Sequence, residues 1–151
     1  MAHFELSTEI NAPPQAVWDF ISDLRRVPEW MTTTDEMLYI SEGEIGVGTV
    51  YREKGGVGPL KSVSEWRITE FEPPRRQVHV GDLGVMKMNF ALEIEPTERG
   101  TLIRQKGDLC MMPSFRPLGL LLEALFVRRQ IESALRSSYA NAKRILEAEQ
   151  S

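Results

Sequence analysis

The reading of this chain turns on FRPLGLLLEALFVRRQIESALRSSYANAKRILEAE, residues 115–149. Apart from Pro117 and Gly119, both near its start, no residue in the segment resists a helix. Leu118, Leu121, Leu122 and Leu125, followed by Ile131, Leu135, Tyr139, Ala142, Ile145 and Leu146, recur at helical spacing and form one apolar stripe. Thirty-odd residues rising about 1.5 Å each make a rod of roughly 50 Å. Such a stripe requires a long apolar surface opposite it, which the rest of the chain must supply.

The segment from Glu36 to Cys110 reads as that surface. Strand-like runs are separated by the turn signals Glu42-Gly43-Glu44, Gly55-Gly56-Val57-Gly58-Pro59, Pro73-Pro74, Gly81-Asp82 and Thr97-Glu98-Arg99-Gly100. Connections this short imply an antiparallel meander. In its clearest strand, Met86, Met88, Phe90, Leu92 and Ile94 alternate with Lys87, Asn89, Ala91 and Glu93, so one face is dry and the other wet. Upstream, His3 to Ile10 alternates in the same way and predicts a further strand. A short helix then starts near Pro13, carrying Ala16, Val17, Phe20 and Ile21, and Ser22-Asp23 caps a second one that runs to about Trp30 with Pro28 keeping it short. The order β, α, α, six β, α describes one α+β domain over residues 1–151, with no internal repeat and no linker.

Composition excludes several functions. With 42% hydrophobic residues in 151, the chain can close one sizeable core. A net charge of -4, from 22 acidic and 18 basic side chains, provides no positive field for phosphate backbones, so nucleic acid is not an expected partner. The pairs Arg25-Arg26, Arg75-Arg76 and Arg128-Arg129 are too short to form a polyanion track and read as solvated surface. The longest apolar block, Leu118 to Val127, is interrupted by Gly119 and Glu123 and is too short to span a bilayer. One cysteine and no leader-like segment make the cytoplasm the expected location.

Taken in order, certain pieces of the sequence resemble a known superfamily, SRPBCC, named for its START, polyketide cyclase, plant pathogenesis and lipid-transfer members. They are Ile10-Asn11-Ala12-Pro13-Pro14-Gln15-Ala16-Val17-Trp18, Asp23 with Pro28-Glu29-Trp30, Gly46-Val47-Gly48-Thr49, the run Trp66 to Pro74, the Gly100-Thr101 turn and the terminal helix. The resemblance covers nearly the whole chain. It implies the helix-grip fold: a seven-stranded curved antiparallel sheet wrapped around a long C-terminal helix, with two short helices between strands 1 and 2. It also implies that the loop at Gly55–Pro59 frames the entrance to a cavity. Independently of the family, Gly46 and Gly48 permit the bends that a wrapping sheet needs, and Trp18 and Trp30 are large plugs where helices meet sheet. Trp18 reads as core; for Trp30, core and ligand contact are equally good readings.

Few catalytic arrangements are available. His3 and His79 each stand apart from other soft ligands, so no His/Cys metal site and no cofactor is expected. Cys110, beside Met111 and Met112, reads as a buried, inert thiol. His79 faces opposite to Val78 and Val80, toward either a cavity or water, and surface is the favoured reading. The glycine-rich stretch at Gly55 lacks the Lys and Ser/Thr of a nucleotide loop. Arg128 and Glu132, one turn apart, lie close to the helix stripe; they read either as inward anchors or as a salt bridge on the helix flank. The register that buries Ile103 and Leu109 turns Gln105 inward as well.

The expected cavity wall is therefore Trp30, Tyr51, Trp66, Met86, Met88, Phe90, Leu121 and Leu125, with Gln105, Arg128 and Glu132 as polar points. Such a wall suits binding or transfer of a small hydrophobic ligand, whether lipid, polyketide or isoprenoid-like. The resemblance leaves a cyclase or dehydratase as the alternative, with Glu132, Arg128, His79 and Tyr51 as the available acid–base groups, and a protein-interaction module as a third reading. Because ligand spacing for a metal is absent, prolonged chelation should leave the melting temperature unchanged. A drop of several degrees that zinc restores would reveal a structural site.

Overall fold

The computed structural model describes residues 2–57, 60–82, 86–111 and 117–150, with side chains except at 2, 57, 60, 111, 117–125 and 127. Its elements run β1 (Ala2–Ile10), α1 (Pro14–Ser22), a 3-10 turn (Leu24–Arg26), α2 (Val27–Trp30), β2 (Thr34–Ile40), β3 (Val50–Val57), β4 (Leu60–Glu72), β5 (Arg76–Asp82), β6 (Met86–Pro96), β7 (Thr101–Met111) and α3 (Pro117–Gln150). The seven strands form one antiparallel sheet in the order β1-β7-β6-β5-β4-β3-β2, so the meander β2 to β7 is closed on one side by the N-terminal strand. This is the expected helix-grip arrangement, with the long helix on the concave face.

Local chemistry accounts for the boundaries. Pro13 and Pro14 end β1 and start α1, where a missing N–H costs nothing. The expected second helix divides: Asp23 Oδ1 accepts from the Arg25 N–H to start a 3-10 turn, and α2 begins only at Val27, with Pro28 in its first turn. Two expected turns belong to strands instead. Gly55–Val57 lie in β3 and Gly81-Asp82 in β5, because their backbones continue the ladders to β4 and β6. Gly58 and Pro59 lie outside the described residues. Gly48, at φ +92°, turns the chain into β3, and its N–H donates to the Ile68 carbonyl (2.9 Å).

Alternation along the strands sends one set of side chains into the concavity. Three inner rows cross the sheet: Tyr51, Trp66, Gly81, Met88 and Leu109; Ile68, His79, Phe90, Gly107 and Phe4; Gln77, Leu92, Gln105 and Leu6. Two of the glycines make room for rings. A methyl at Gly81 would lie 2.7 Å from the Trp66 indole, and one at Gly107 would lie 2.2 Å from the Phe4 ring. At the far end Ile10, Ile94, Ile103, Ala142 and Leu146 close the core tightly.

Helix α3 contributes Ile131, Leu135, Tyr139, Ala142 and Leu146 to this core, as its stripe predicts. The side chains of Leu118, Leu121, Leu122 and Leu125 lie outside the description. Cys110, expected to be buried, is exposed; in β7 the inward positions are the odd ones, from Ile103 to Leu109, so 110 points outward. Leu135 is 2% exposed, and Leu135→Ala should cost roughly 2 to 5 kcal/mol in chemical unfolding. The exposed Val63→Ala should cost less than about 0.5 kcal/mol; equal costs at the two sites would contradict the seating of the helix.

Candidate functional site

Beyond the tightly packed end, sheet and helix separate around a cavity of about 550 Å³. Its floor is the inner face of β3 to β6, with Tyr51, Trp66, Met86, Met88, Phe90 and Leu92. The short helices supply Ile21, Leu24, Val27 and Trp30, and α3 supplies Ile131, Leu135 and Tyr139. Met31, Thr33, Gly55, Gly56, Lys61, Ser62, Phe126 and Gln130 also line it, together with the polar groups Thr34, Glu53, Ser64, Gln77, His79 and Gln105. Gly55 is needed there: its α-carbon passes so close to the chain at Thr33 that a Cβ would fall 1.9 Å from the Thr33 carbonyl oxygen.

Aromatic rings set the shape of the wall. Tyr51 and Trp66, paired across β3 and β4, stack at 8° with centroids 6.4 Å apart. Phe90 tilts against Trp66 at 5.3 Å and meets Phe4 edge-on at 5.7 Å. Trp30 packs on Tyr139 (5.5 Å) and Phe20 (6.2 Å); its shielded Nε1 has no hydrogen-bond partner among the described residues. Trp18 instead packs edge-on to Phe71 and does not line the cavity, consistent with a core role.

The polar groups of the wall fall into three sets. In the first, Gln77 Nε2 donates to Ser22 Oγ (3.0 Å), which leaves Gln77 Oε1 to accept from His79 Nε2 (2.6 Å). His79 Nδ1 is then the acceptor for the Tyr51 hydroxyl (2.7 Å), so the ring is the neutral Nε2–H tautomer. Burial agrees with that assignment: it pushes the His79 pKa down to about 4. In the second, the Tyr139 hydroxyl donates to Gln105 Oε1, and burial raises the tyrosine's pKa. In the third, Glu53 Oε2 accepts from Thr34 Oγ1 (2.8 Å). Burial raises the Glu53 pKa, partly offset by Thr34 and by the Trp66 indole N–H, which itself donates to Ser64 Oγ (3.1 Å). Tyr51 is raised well above its usual value, chiefly by burial and secondly by the Glu53 charge.

Of the side chains expected at the site, Trp30, Tyr51, Trp66, Met86, Met88, Phe90 and Gln105 are brought together around the cavity. Those of Leu121 and Leu125 lie outside the described residues. Arg128 and Glu132 are not among the lining residues. Arg128 Nη1 donates to the His3 carbonyl on edge strand β1 (3.2 Å), and Glu132 is partly exposed. The reason is the placement of α3, which seats against β1 rather than over the middle of the sheet, so this flank of the helix meets the sheet edge. His79, read as a surface residue, faces inward in the same row as Ile68 and Phe90.

Glu53, Gln77 and Ser22 escape the reading of the sequence. The signal for Glu53 is present there: once Tyr51 is inward, strand parity turns Glu53 inward too. Gln77 shares its parity with His79 in the same way. No pattern in α1 marks Ser22 as the end of a hydrogen-bonded chain.

A family model described as "Polyketide cyclase / dehydrase and lipid transport" matches residues 1–147. The chain belongs to this family. An uncharacterized protein of Mycobacterium tuberculosis, Rv1546, is 26% identical over 137 residues, covering 90% of this chain and 95% of its own. Among solved structures, the di-domain ARO/CYC StfQ from the steffimycin biosynthetic pathway superposes with a TM-score of 0.81 at 13% identity, over 98% of this chain and 51% of that one. TTHA0849 from Thermus thermophilus gives 0.79 at 16% identity, over 99% of this chain and 100% of that one. At these identities the structures establish the shared fold. Among the described residues, no helix is long and apolar enough to cross a membrane.

The state of His79 predicts a pH effect. Its pKa falls from 6.5 in the unfolded chain to about 4 in the fold. On acidification through that window the unfolded state binds a proton that folded His79 refuses, so stability present above pH 6.5 is progressively lost, by up to about 3 kcal/mol. The raised pKa of Glu53 acts with the opposite sign and is shared by a His79→Gln variant. Unfolding free energies measured across the window should therefore show the wild type losing more than His79→Gln. A constant gap between them would mean that His79 is solvated.

Proposed function

We propose that this protein binds and shields a small, largely apolar molecule inside the sheet–helix cavity. The observation that supports this most directly is the cavity of about 550 Å³ itself, walled by Trp30, Trp66, Met86, Met88 and Phe90. Ligand sites typically measure roughly 300–1,000 Å³, are mostly apolar and carry a few fixed polar groups. A void of this size represents unspent burial, because a well-packed core leaves few spaces larger than a water molecule. Filling it with apolar surface is favourable by about 25 cal/mol per Å² removed from water. The two methionines let the wall adapt to ligands of different outline.

The family description includes both cyclase/dehydrase and lipid transport. A cyclase or dehydratase is the second reading, supported by the Tyr51–His79–Gln77–Ser22 chain, which ends at a phenol on the cavity wall. Tyr51 would serve there as the group exchanging a proton with a ligand oxygen, with His79 accepting or returning it. Release of a dehydrated or cyclised product by the wild type, lost in Tyr51→Phe with binding intact, would favour this reading over shielding alone.

Occupancy should stabilise the fold. A ligand that binds the native state alone, at a hundred times its dissociation constant, adds about 2.7 kcal/mol. For a domain of this size that corresponds to a melting-temperature rise on the order of 5 to 11 °C. Thermal shift against a panel of lipids, polyketides and planar aromatics is expected to find such ligands, and Met88→Trp should reduce the rise by filling the space. A whole panel without a shift above about one degree would defeat the binding proposal.

A further inference from the structure

The charges inside the cavity are distributed unevenly. Its ionisable lining residues, among those described, are Tyr51, Glu53, Lys61, His79 and Tyr139. Both tyrosines are held above their usual range and His79 below it, so all three are neutral at neutral pH. Lys61 is exposed and paired with Asp35 (3.2 Å). Glu53 remains. Its carboxyl is fixed by Thr34, and no cation among the described residues lies within ion-pair distance of it.

A carboxylate placed in a largely apolar wall without a counter-charge is costly, and a cation of the right shape removes that cost. Next to it, two positions back on the same strand face, stands Tyr51 stacked on Trp66. Ring faces attract cations, most strongly when water is excluded. We propose that the ligand class is a hydrophobic amine, its ammonium group seated on Glu53 beside the Tyr51–Trp66 pair and its apolar body along Met88 and Phe90. The inference rests on the cavity-binding reading and adds the chemistry of the ligand's polar end. An anionic headgroup is disfavoured at that position, since it would face Glu53 with no cationic partner among the described lining residues except Lys61, already held by Asp35. A neutral hydroxyl could accept from or donate to the same wall, but it leaves the carboxylate uncompensated. The net charge of -4 favours the approach of a cation over that of an anion.

The test uses three ligands with the same apolar body: naphthylmethylamine, naphthylmethanol and naphthoate, titrated calorimetrically into the full chain at neutral pH. The amine is expected to bind roughly ten- to a hundredfold more tightly than the alcohol, the range for a hydrogen bond to a charged group, with naphthoate weakest. Glu53→Gln should abolish the amine's advantage, so that amine and alcohol bind that variant about equally. If that variant does not fold, the wild type carries the test by itself: the amine's advantage should shrink as pH falls through the Glu53 pKa, which lies above 4.5. Over most of that range His79, the other cavity group that titrates on acidification, stays neutral down to about 4. Alcohol or naphthoate binding as tightly as the amine, or an amine preference that survives Glu53→Gln or acid, overturns the proposal while sparing the cavity reading. Failure of all three to bind overturns the amine proposal, and the thermal-shift panel then decides the cavity reading separately.

Discussion

How α3 sits on the sheet governs the rest of the molecule. The helix presses Ala142 and Leu146 onto the closed end of the concave face, where Ile10, Ile94 and Ile103 leave no space, turns Ile131, Leu135 and Tyr139 to the cavity, and lies along β1 at the sheet's edge. A straight rod against a curved sheet cannot make equally close contact along its whole length. Contact is made at one end, while β4, β5 and β6 stand away from the helix around the cavity. The cavity is thus a consequence of packing a long helix on a strongly curved sheet, and the bends recorded as register shifts in β2 and β4 are part of that curvature.

Space inside this frame is further regulated by where side chains are left out. Gly81 allows the Trp66 indole to lie across β5, and Gly107 gives the Phe4 ring a place beneath Phe90. Large aromatic groups are therefore laid against the sheet instead of standing into the void. Their ring contacts, together with the hydrogen bonds of Tyr51, His79 and Gln77, hold the wall open by tying neighbouring strands to one another and to Ser22 in α1. Cohesion within the wall replaces cohesion across it.

Much of this was legible in the sequence because periodicity is a direct record of burial. The 3.6-residue stripe of α3 and the alternation in β6 revealed both partners of the fold, and the parity argument found Gln105, Met86, Met88 and Phe90. What the sequence left open depended on information that periodicity does not contain. Arg128 and Glu132 lie near the stripe, but whether a near-stripe residue sees a cavity or a sheet edge depends on the lateral placement of the helix, which no single element encodes. His79 was ambiguous for the opposite reason: strand parity offered two faces, and only its hydrogen bonds to Tyr51 and Gln77 explain how an imidazole is tolerated inside. The glycines at 55 and 81 looked like turns because glycine marks both bends and close approaches, and here the second meaning applies.

The fate of the basic residues on α3 connects edge protection with the character of the cavity. Strand β1 has an open edge, and exposed edges need protection against pairing with other chains. Arg128 donates to the carbonyl of His3 and Lys143 to that of Glu9, two groups an even number of residues apart and so directed off the same side of the strand. Both cations are thereby committed to the rim of the sheet. A helix placed centrally would have brought Arg128 toward the void and given Glu53 a potential intramolecular partner. With the helix at the edge, the basic groups stabilise β1, the carboxyl group of Glu53 stays on the cavity wall, and the polarity of the cavity follows from how the sheet's first strand is capped.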